Sequence, residues 1–347
     1  MRFEVSHVLD AIERRLTTEP ALARGVIDLA EIVRYVDLDG GRPATLLRLG
    51  MVVDALARHL NEENIQVYCV VDKQMLSDLD QPSSERMVIR RWADDGHVEV
   101  VQGAALRVRE LNDVAGLPIV SRTLPGLATV AGAGGATIAV RGPLPTGPSD
   151  LGRRLTARRW HCPDPDCALF GQMRVAVGQP LPMLRGNPMC PRHNVPLADT
   201  GPAPAQDVLA VRVAGVIRQR FLVTAGAPVL VGRAPDGQWD GTDSRAIVLG
   251  PWLDEGAVKA VSRNHLMFAF DHNGLSVKDV SMNGAWVHPG GDKIAPQRPR
   301  ALASGEYLEL YPGVEVGRPA SLVGGAGVAQ ASVLVDAPTM TFRMPPS

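Results

Sequence analysis

Residues 261–287 read VSRNHLMFAFDHNGLSVKDVSMNGAWV, and this stretch decides the fold of the C-terminal third. Short apolar runs such as LMFAF and GLSV are broken by clusters of Asp, Asn, Ser and Gly. Runs of that length between turn residues are strand signals, and they leave no room for helical periodicity. Working outward, the same punctuation by Gly, Asn, Asp and Pro holds from 208 to about 318. The pattern predicts an all-β sandwich over 208–318. From 319 the chain turns Gly/Ala-rich and ends APTMTFRMPPS, which predicts a flexible tail over 319–347.

Three motifs lie in order within this region: VLVGRAPDG at 229–237, VSRNHLMF at 261–268 and VKDVSMNGAWV at 277–287. The series Gly-Arg, Ser-x-x-His, Ser-x-Asn-Gly resembles the forkhead-associated (FHA) domain, a β-sandwich whose loops bind phosphothreonine peptides. The resemblance implies that Arg233, Ser262, Arg263, Ser281 and Asn283 contact a phosphopeptide. It makes Gly232, His265 and Gly284 loop-supporting, with His265 a brace and Asn283 a partner for the peptide backbone. The chemistry agrees: a phosphothreonine carries close to two negative charges and three strong acceptors. Such a group calls for an arginine and short hydroxyl donors on a rigid scaffold. Met282 departs from the family, which often has a polar residue there that helps hold the phosphate. The stretch from Ala234 to Val261 is also long for the family.

The segment 160–197 has different chemistry. WHCPDPDCALFG supplies Cys162 and Cys167, and GNPMCPRHNVPL supplies Cys190 and His193. The spacing is Cys-x4-Cys, 22 residues, then Cys-x2-His. Two ligand pairs on two tight loops suit tetrahedral zinc, and four protein ligands make a closed, structural site. The segment resembles a zinc ribbon. His161 is an alternative ligand. The fourth cysteine, Cys69, sits in the run IQVYCVVD and reads as a buried apolar residue.

Residues 1–130 alternate helical and strand patterns. Short apolar strands such as RGVIDL and IQVYCVVD, separated by amphipathic helices such as TLLRLGMVVDALARHL, predict an α/β doubly wound parallel sheet. The pattern fades from 124, and 131–159 and 198–207 read as Gly/Pro-rich linkers, the first with at most one strand. The element order resembles PIN-like nucleases. That resemblance implies a Mg2+-binding acid cluster, here Asp28, Asp72 and Glu85. The match breaks at the last strand, where Ser121, Arg122 and Thr123 stand in place of an acid. Asp28 and Asp72 serve equally as caps of the turns that follow them. No GxGxxG or GxxxxGK[ST] loop occurs, against a dinucleotide or P-loop enzyme.

Composition limits the remaining classes. Lys plus Arg is 36 and Asp plus Glu is 37 in 347 residues, a net charge of -1 that excludes a bulk polyanion binder and leaves room for a local basic patch. RRLTARRW, with Arg153, Arg154, Arg158, Arg159 and Trp160, is either a solvated helix face or a contact for single-stranded nucleic acid. No apolar run is long enough to span a membrane, and acids interrupt the N-terminal segment, so a cytoplasmic protein is expected. Abundant Arg, Ala, Gly, Val and Pro suit a GC-rich bacterial genome. The expected function is an adaptor that docks on a partner phosphorylated on threonine by a Ser/Thr protein kinase. The alternative is a metal-dependent PIN-like nuclease recruited or regulated by the FHA domain. Thr339 and Thr341 in the tail are candidate phosphorylation sites that would occupy the pocket in cis.

Overall fold

The computed structural model describes residues 2–122, 128–131, 137–140, 147–172, 178–239, 242–271 and 274–322. Thr339 and Thr341 lie outside the described residues. The described chain forms two compact units, one of residues 2–60 and 65–201, the other of 61–64 and 202–322.

The first unit runs α1 (Arg2–Glu13), β1 (Ala23–Asp28), α2 (Leu29–Val33), α3 (Leu47–Leu60), β2 (Gln66–Asp72), α4 (Ser83–Asp94), β3 (Glu99–Val101), α5 (Ala104–Ala115), β4 (Ile119–Ser121), β5 (Ala128–Ala131), β6 (Thr137–Val140), α6 (Asp150–Thr156), β7 (Arg158–His161), β8 (Met183–Arg185), β9 (Asn187–Met189) and β10 (Ala198–Pro202). Its main sheet has the order β3-β2-β1-β4-β6-β5. β1 pairs in parallel with β2 and β4, and β2 in parallel with β3. Alternation along β2 explains the two-sided burial. Val67, Cys69 and Val71 join the core formed with α1, α3 and α4, while Tyr68 and Val70 join the core formed with α5. A strand buried on both faces must be apolar at every position, which is why IQVYCVVD lacks polar alternation.

The predicted linker over 131–159 needs correction. β5 and β6 form an antiparallel pair, and β6 extends the sheet by pairing with β4. Their runs, ATVA and TIAV, are small and β-branched, and backbone ladder bonds hold them without large side chains. The Gly/Ala-rich composition around them hid this signal. α6 follows, its N-terminus capped by Ser149, whose Oγ accepts from Gly152 N at 3.1 Å. The stretch predicted as a second linker is partly strand: β10 pairs with β7.

The second unit contains β11 (Gln206–Val213), β12 (Val216–Thr224), β13 (Val229–Gly232), β14 (Gln238–Trp239), β15 (Thr242–Asp243), β16 (Arg245–Val248), α7 (Glu255–Ala260), β17 (Leu266–Asp271), β18 (Gly274–Asp279), β19 (Trp286–His288), β20 (Asp292–Lys293), β21 (Pro299–Ala301), β22 (Tyr307–Tyr311) and β23 (Val314–Gly317). Two sheets, β12-β11-β23-β22-β19-β20 and β16-β13-β17-β18-β21, form the sandwich. Every second residue points inward, as in Leu209, Val211 and Val213 of β11 and Leu266 and Phe268 of β17. The rings of Phe221 and Phe268 cross at 60° with centroids 6.1 Å apart. Among the described residues, no helix is long and apolar enough to cross a membrane.

Candidate functional site

The loops at one end of the sandwich are tied to one another before any ligand is considered. Arg233, leaving β13, donates its backbone N–H to Ser262 O at 2.9 Å. Gly232 is required here: a Cβ on it would lie 1.9 Å from Arg263 O. Met282 N donates to Ser262 Oγ at 3.2 Å, and Asn283 Nδ2 donates to Ala260 O at 2.7 Å. Ala260 ends α7, so its carbonyl is one of those a helix terminus leaves without an internal partner. The long stretch between Arg233 and Ser262 thus builds the short helix that anchors Asn283.

His265 holds this arrangement from below. It is fully buried. Its Nδ1 accepts from Ser262 N at 3.1 Å, and its Nε2 lies 3.2 Å from Gly284 O, so Nε2 carries the proton and donates. Burial pushes its pKa below the ordinary imidazole value. Asp279, also buried, accepts from Ser281 N and Ala285 N, both at 2.9 Å, and shapes the turn. Ser281 Oγ accepts from Gly284 N at 2.8 Å. Gly284 has φ +85°, and a Cβ there would meet the Lys293 chain at 2.1 Å.

These bonds leave the predicted ligand-facing groups available. The hydroxyls of Ser262 and Ser281 both accept from the backbone and keep their own protons to donate. The buried Nε of Arg233 has no hydrogen-bond partner among the described residues. Arg263 is exposed at the rim. Met282 is 96% exposed, and its backbone, not its side chain, does the bracing. The motifs did not point to Lys293. It reaches the loop across Gly284 and lies 5.2 Å from the Trp286 ring centroid. Only its pairing with β19 through β20 places it there.

In the first unit, Cys162, Cys167, Cys190 and His193 converge, with ligand atoms all within 4.8 Å of one another. His193 Nδ1 lies 3.3 Å from Cys162 Sγ, and Cys167 and Cys190 Sγ are 3.7 Å apart. Zinc–thiolate bonds of about 2.3 Å in a tetrahedron require sulfur atoms about 3.8 Å apart, so the donor set fits zinc. Two further features suit a metal site. Phe170 N donates to Cys167 Sγ at 3.3 Å, and Asp164 lies 3.3 Å from His193 Nε2, where it orients the ring. The Cys190 thiol's hydrogen bond brings Cys167 down to about 5. His161 is not in the cluster.

Asp28 and Asp72 end adjacent parallel strands and line one cleft of about 490 Å³. Both are engaged as caps. Asp28 accepts from Ala30 N at 3.0 Å, and burial raises its pKa. Asp72 accepts from Gln74 N and Gly103 N, each at 3.0 Å, and from Ala104 N at 3.3 Å. Burial alone would raise Asp72, but these three donors outweigh it and hold it low. Glu85 does not line that cleft. It is buried under the start of α3, accepting from Leu46 N at 2.7 Å and Thr45 Oγ1 at 3.2 Å. Among the described residues, no third ligand joins Asp28 and Asp72 in a metal-sharing group. Glu13, Asp95 and His97 do approach one another, but Glu13 is bonded to Trp92 Nε1 at 2.8 Å. In RRLTARRW, Arg153 pairs with Asp150, Arg158 pairs with Asp199, and Trp160 Nε1 donates to Leu155 O at 2.8 Å.

No protein-family model matches the chain, and no curated relative does. Solved FHA domains are similar to about a third of it. The MEK1 FHA domain shares 23% identity over 33% of this chain and 87% of its own, with a TM-score of 0.23. The FHA domain of CT664 from Chlamydia trachomatis shares 24% identity over 32% of this chain and 94% of its own, with a TM-score of 0.24. The FhaA FHA domain, solved with the intracellular domain of Rv3910, shares 23% identity over 32% of this chain and 97% of its own, with a TM-score of 0.21.

Proposed function

We propose that the chain is a phosphothreonine-dependent adaptor whose C-terminal sandwich docks on a partner phosphorylated by a Ser/Thr protein kinase. One observation carries this reading. The loops bearing Arg233, Ser262 and Asn283 are locked together by hydrogen bonds that leave the Arg233 guanidinium without an acid partner among the described residues. A preformed cationic pocket with hydroxyl donors fits a phosphate dianion. Ser262 and Ser281 donate to phosphate oxygens, Arg263 adds charge at the rim, and the free Oδ1 of Asn283 accepts from the peptide backbone.

The Cys/His cluster holds structural zinc in this reading. Four protein ligands leave no open position for catalysis. Asp28 and Asp72 act as caps, so the nuclease alternative and a Mg2+ site have weaker support. A randomised phosphothreonine library presented to the full chain tests the proposal. Selective capture that Arg233→Ala removes supports it. Equal capture of phosphorylated and unphosphorylated peptides would sink it.

A further inference from the structure

A second cavity, of about 530 Å³, lies within the first unit between the sheet and the Cys/His segment. Its sheet side is the C-terminal end of β3, at Val101 and Gln102, with Lys73 just beyond β2. In open α/β sheets, ligands bind in the crevice outside the carboxyl ends of the strands. The far wall is Arg185 from β8 and Arg192 from the Cys190–His193 turn.

Its charge is one-sided. Lys73, Arg90, Arg185 and Arg192 all line it, against the single acid Asp94. Asp94 is already committed, with Arg192 Nη2 at 2.7 Å. Arg90 donates to Leu76 O at 2.8 Å, which fixes its direction without neutralising it. With Asp94 taken by Arg192, no acid of the lining is left to pair with Lys73, Arg90 or Arg185. Like charges gathered around a concave wall repel one another, and an anion between them relieves that repulsion. The rest of the lining is mixed. Leu76 and Met183 offer apolar surface, and the Gln102 and Asn194 amides offer donors and acceptors. A cavity of this size holds a small organic ligand, not merely an inorganic ion.

We infer that this cavity binds a nucleotide unit, its phosphate held by Lys73, Arg90 and Arg185 and its base placed against the apolar wall. The unit is either a free mononucleotide or part of a single strand. The pocket is separate from the phosphopeptide loops, and the inference does not rest on them.

The test uses the full-length protein with a fluorescein-labelled oligoadenylate, read by anisotropy, and unlabelled AMP as competitor. Binding is expected, and the double charge reversal Lys73→Glu with Arg185→Glu is expected to weaken it at least tenfold. It should also flatten the dependence on salt, because fewer phosphate contacts release fewer counterions. Both side chains are exposed, so zinc content and circular dichroism should stay unchanged. The uncharged pair Lys73→Gln with Arg185→Gln should give an intermediate loss. Displacement by AMP identifies a free nucleotide, and resistance to AMP identifies a strand. Absence of oligoadenylate binding by anisotropy together with absence of AMP binding by calorimetry, or affinity unaltered in the charge-reversed protein, would overturn the inference.

Discussion

His265 makes two hydrogen bonds in opposite directions, and only a neutral ring does both. A protonated ring has no lone pair for Ser262 N. Its folded pKa is lowered by burial, while the unfolded chain titrates at about 6.5. The unfolded state therefore binds the proton more readily, and stability falls as pH drops below that value. Thermal melts of the second unit should show this acid-side loss, and His265→Gln should flatten it while lowering stability near neutrality. An equally steep slope in the variant would mean another group is responsible. Arg233 has a different role, since its buried Nε has no hydrogen-bond partner among the described residues. Arg233→Ala should leave the melting temperature nearly unchanged. It should weaken phosphopeptide binding roughly ten- to a hundredfold, the worth of a charge-assisted bond of about 1.5–3 kcal/mol, measurable by calorimetry. Asp28 is a third case. Asparagine caps as well as aspartate and removes a half-buried charge, so Asp28→Asn should shift stability by less than about 1 kcal/mol. A larger loss would show that the carboxylate does more than cap.

Elements meet closely where the site is built. The end of β13 passes so near the Ser262 loop that Gly232→Ala must push the two apart. The expected cost is about 1–3 kcal/mol in urea unfolding, with weakened phosphopeptide binding. An alanine variant of wild-type stability would mean that the approach is looser than described. In the Cys/His segment, the strands β8 and β9 form only a small two-stranded sheet. So little secondary structure buries only a small core around Leu169, Phe170 and Leu197, and in the proposed reading bound metal adds to its order. On the proposed reading the chain should carry about one zinc by elemental analysis, and Cys162→Ser should reduce it to near zero. Unchanged zinc would rule the cluster out.

At the scale of the whole molecule, the two sites belong to different units with separate hydrophobic cores. If the proposed zinc and phosphopeptide sites are both real, treatment with a strong chelator should therefore leave phosphopeptide affinity within about twofold. A larger change would reveal coupling between the units. Domains with their own cores unfold as separate steps unless an interface binds them.

Much of this was legible in the chain itself. The strand and helix order of residues 1–122, the sandwich, and the two ligand pairs all follow from patterns that local chemistry enforces. A strand buried on both faces must be apolar throughout, and a loop that touches another backbone must be glycine. Tertiary structure decided the rest. β5 and β6 were hidden because ladder bonds, from β5 to β6 and from β6 to β4, stabilise runs too small to announce themselves. Glu85 looked like a third acid, but the packing of α4 against the start of α3 spends its carboxylate on Leu46 and Thr45. Lys293 comes beside the Gly284 turn through the pairing of β19 with β20. The cationic cavity gathers Lys73, Arg90, Arg185 and Arg192 from four separate places in the chain. Sequence determines what each segment must bury, and only the folded chain decides which distant side chains then share the same space.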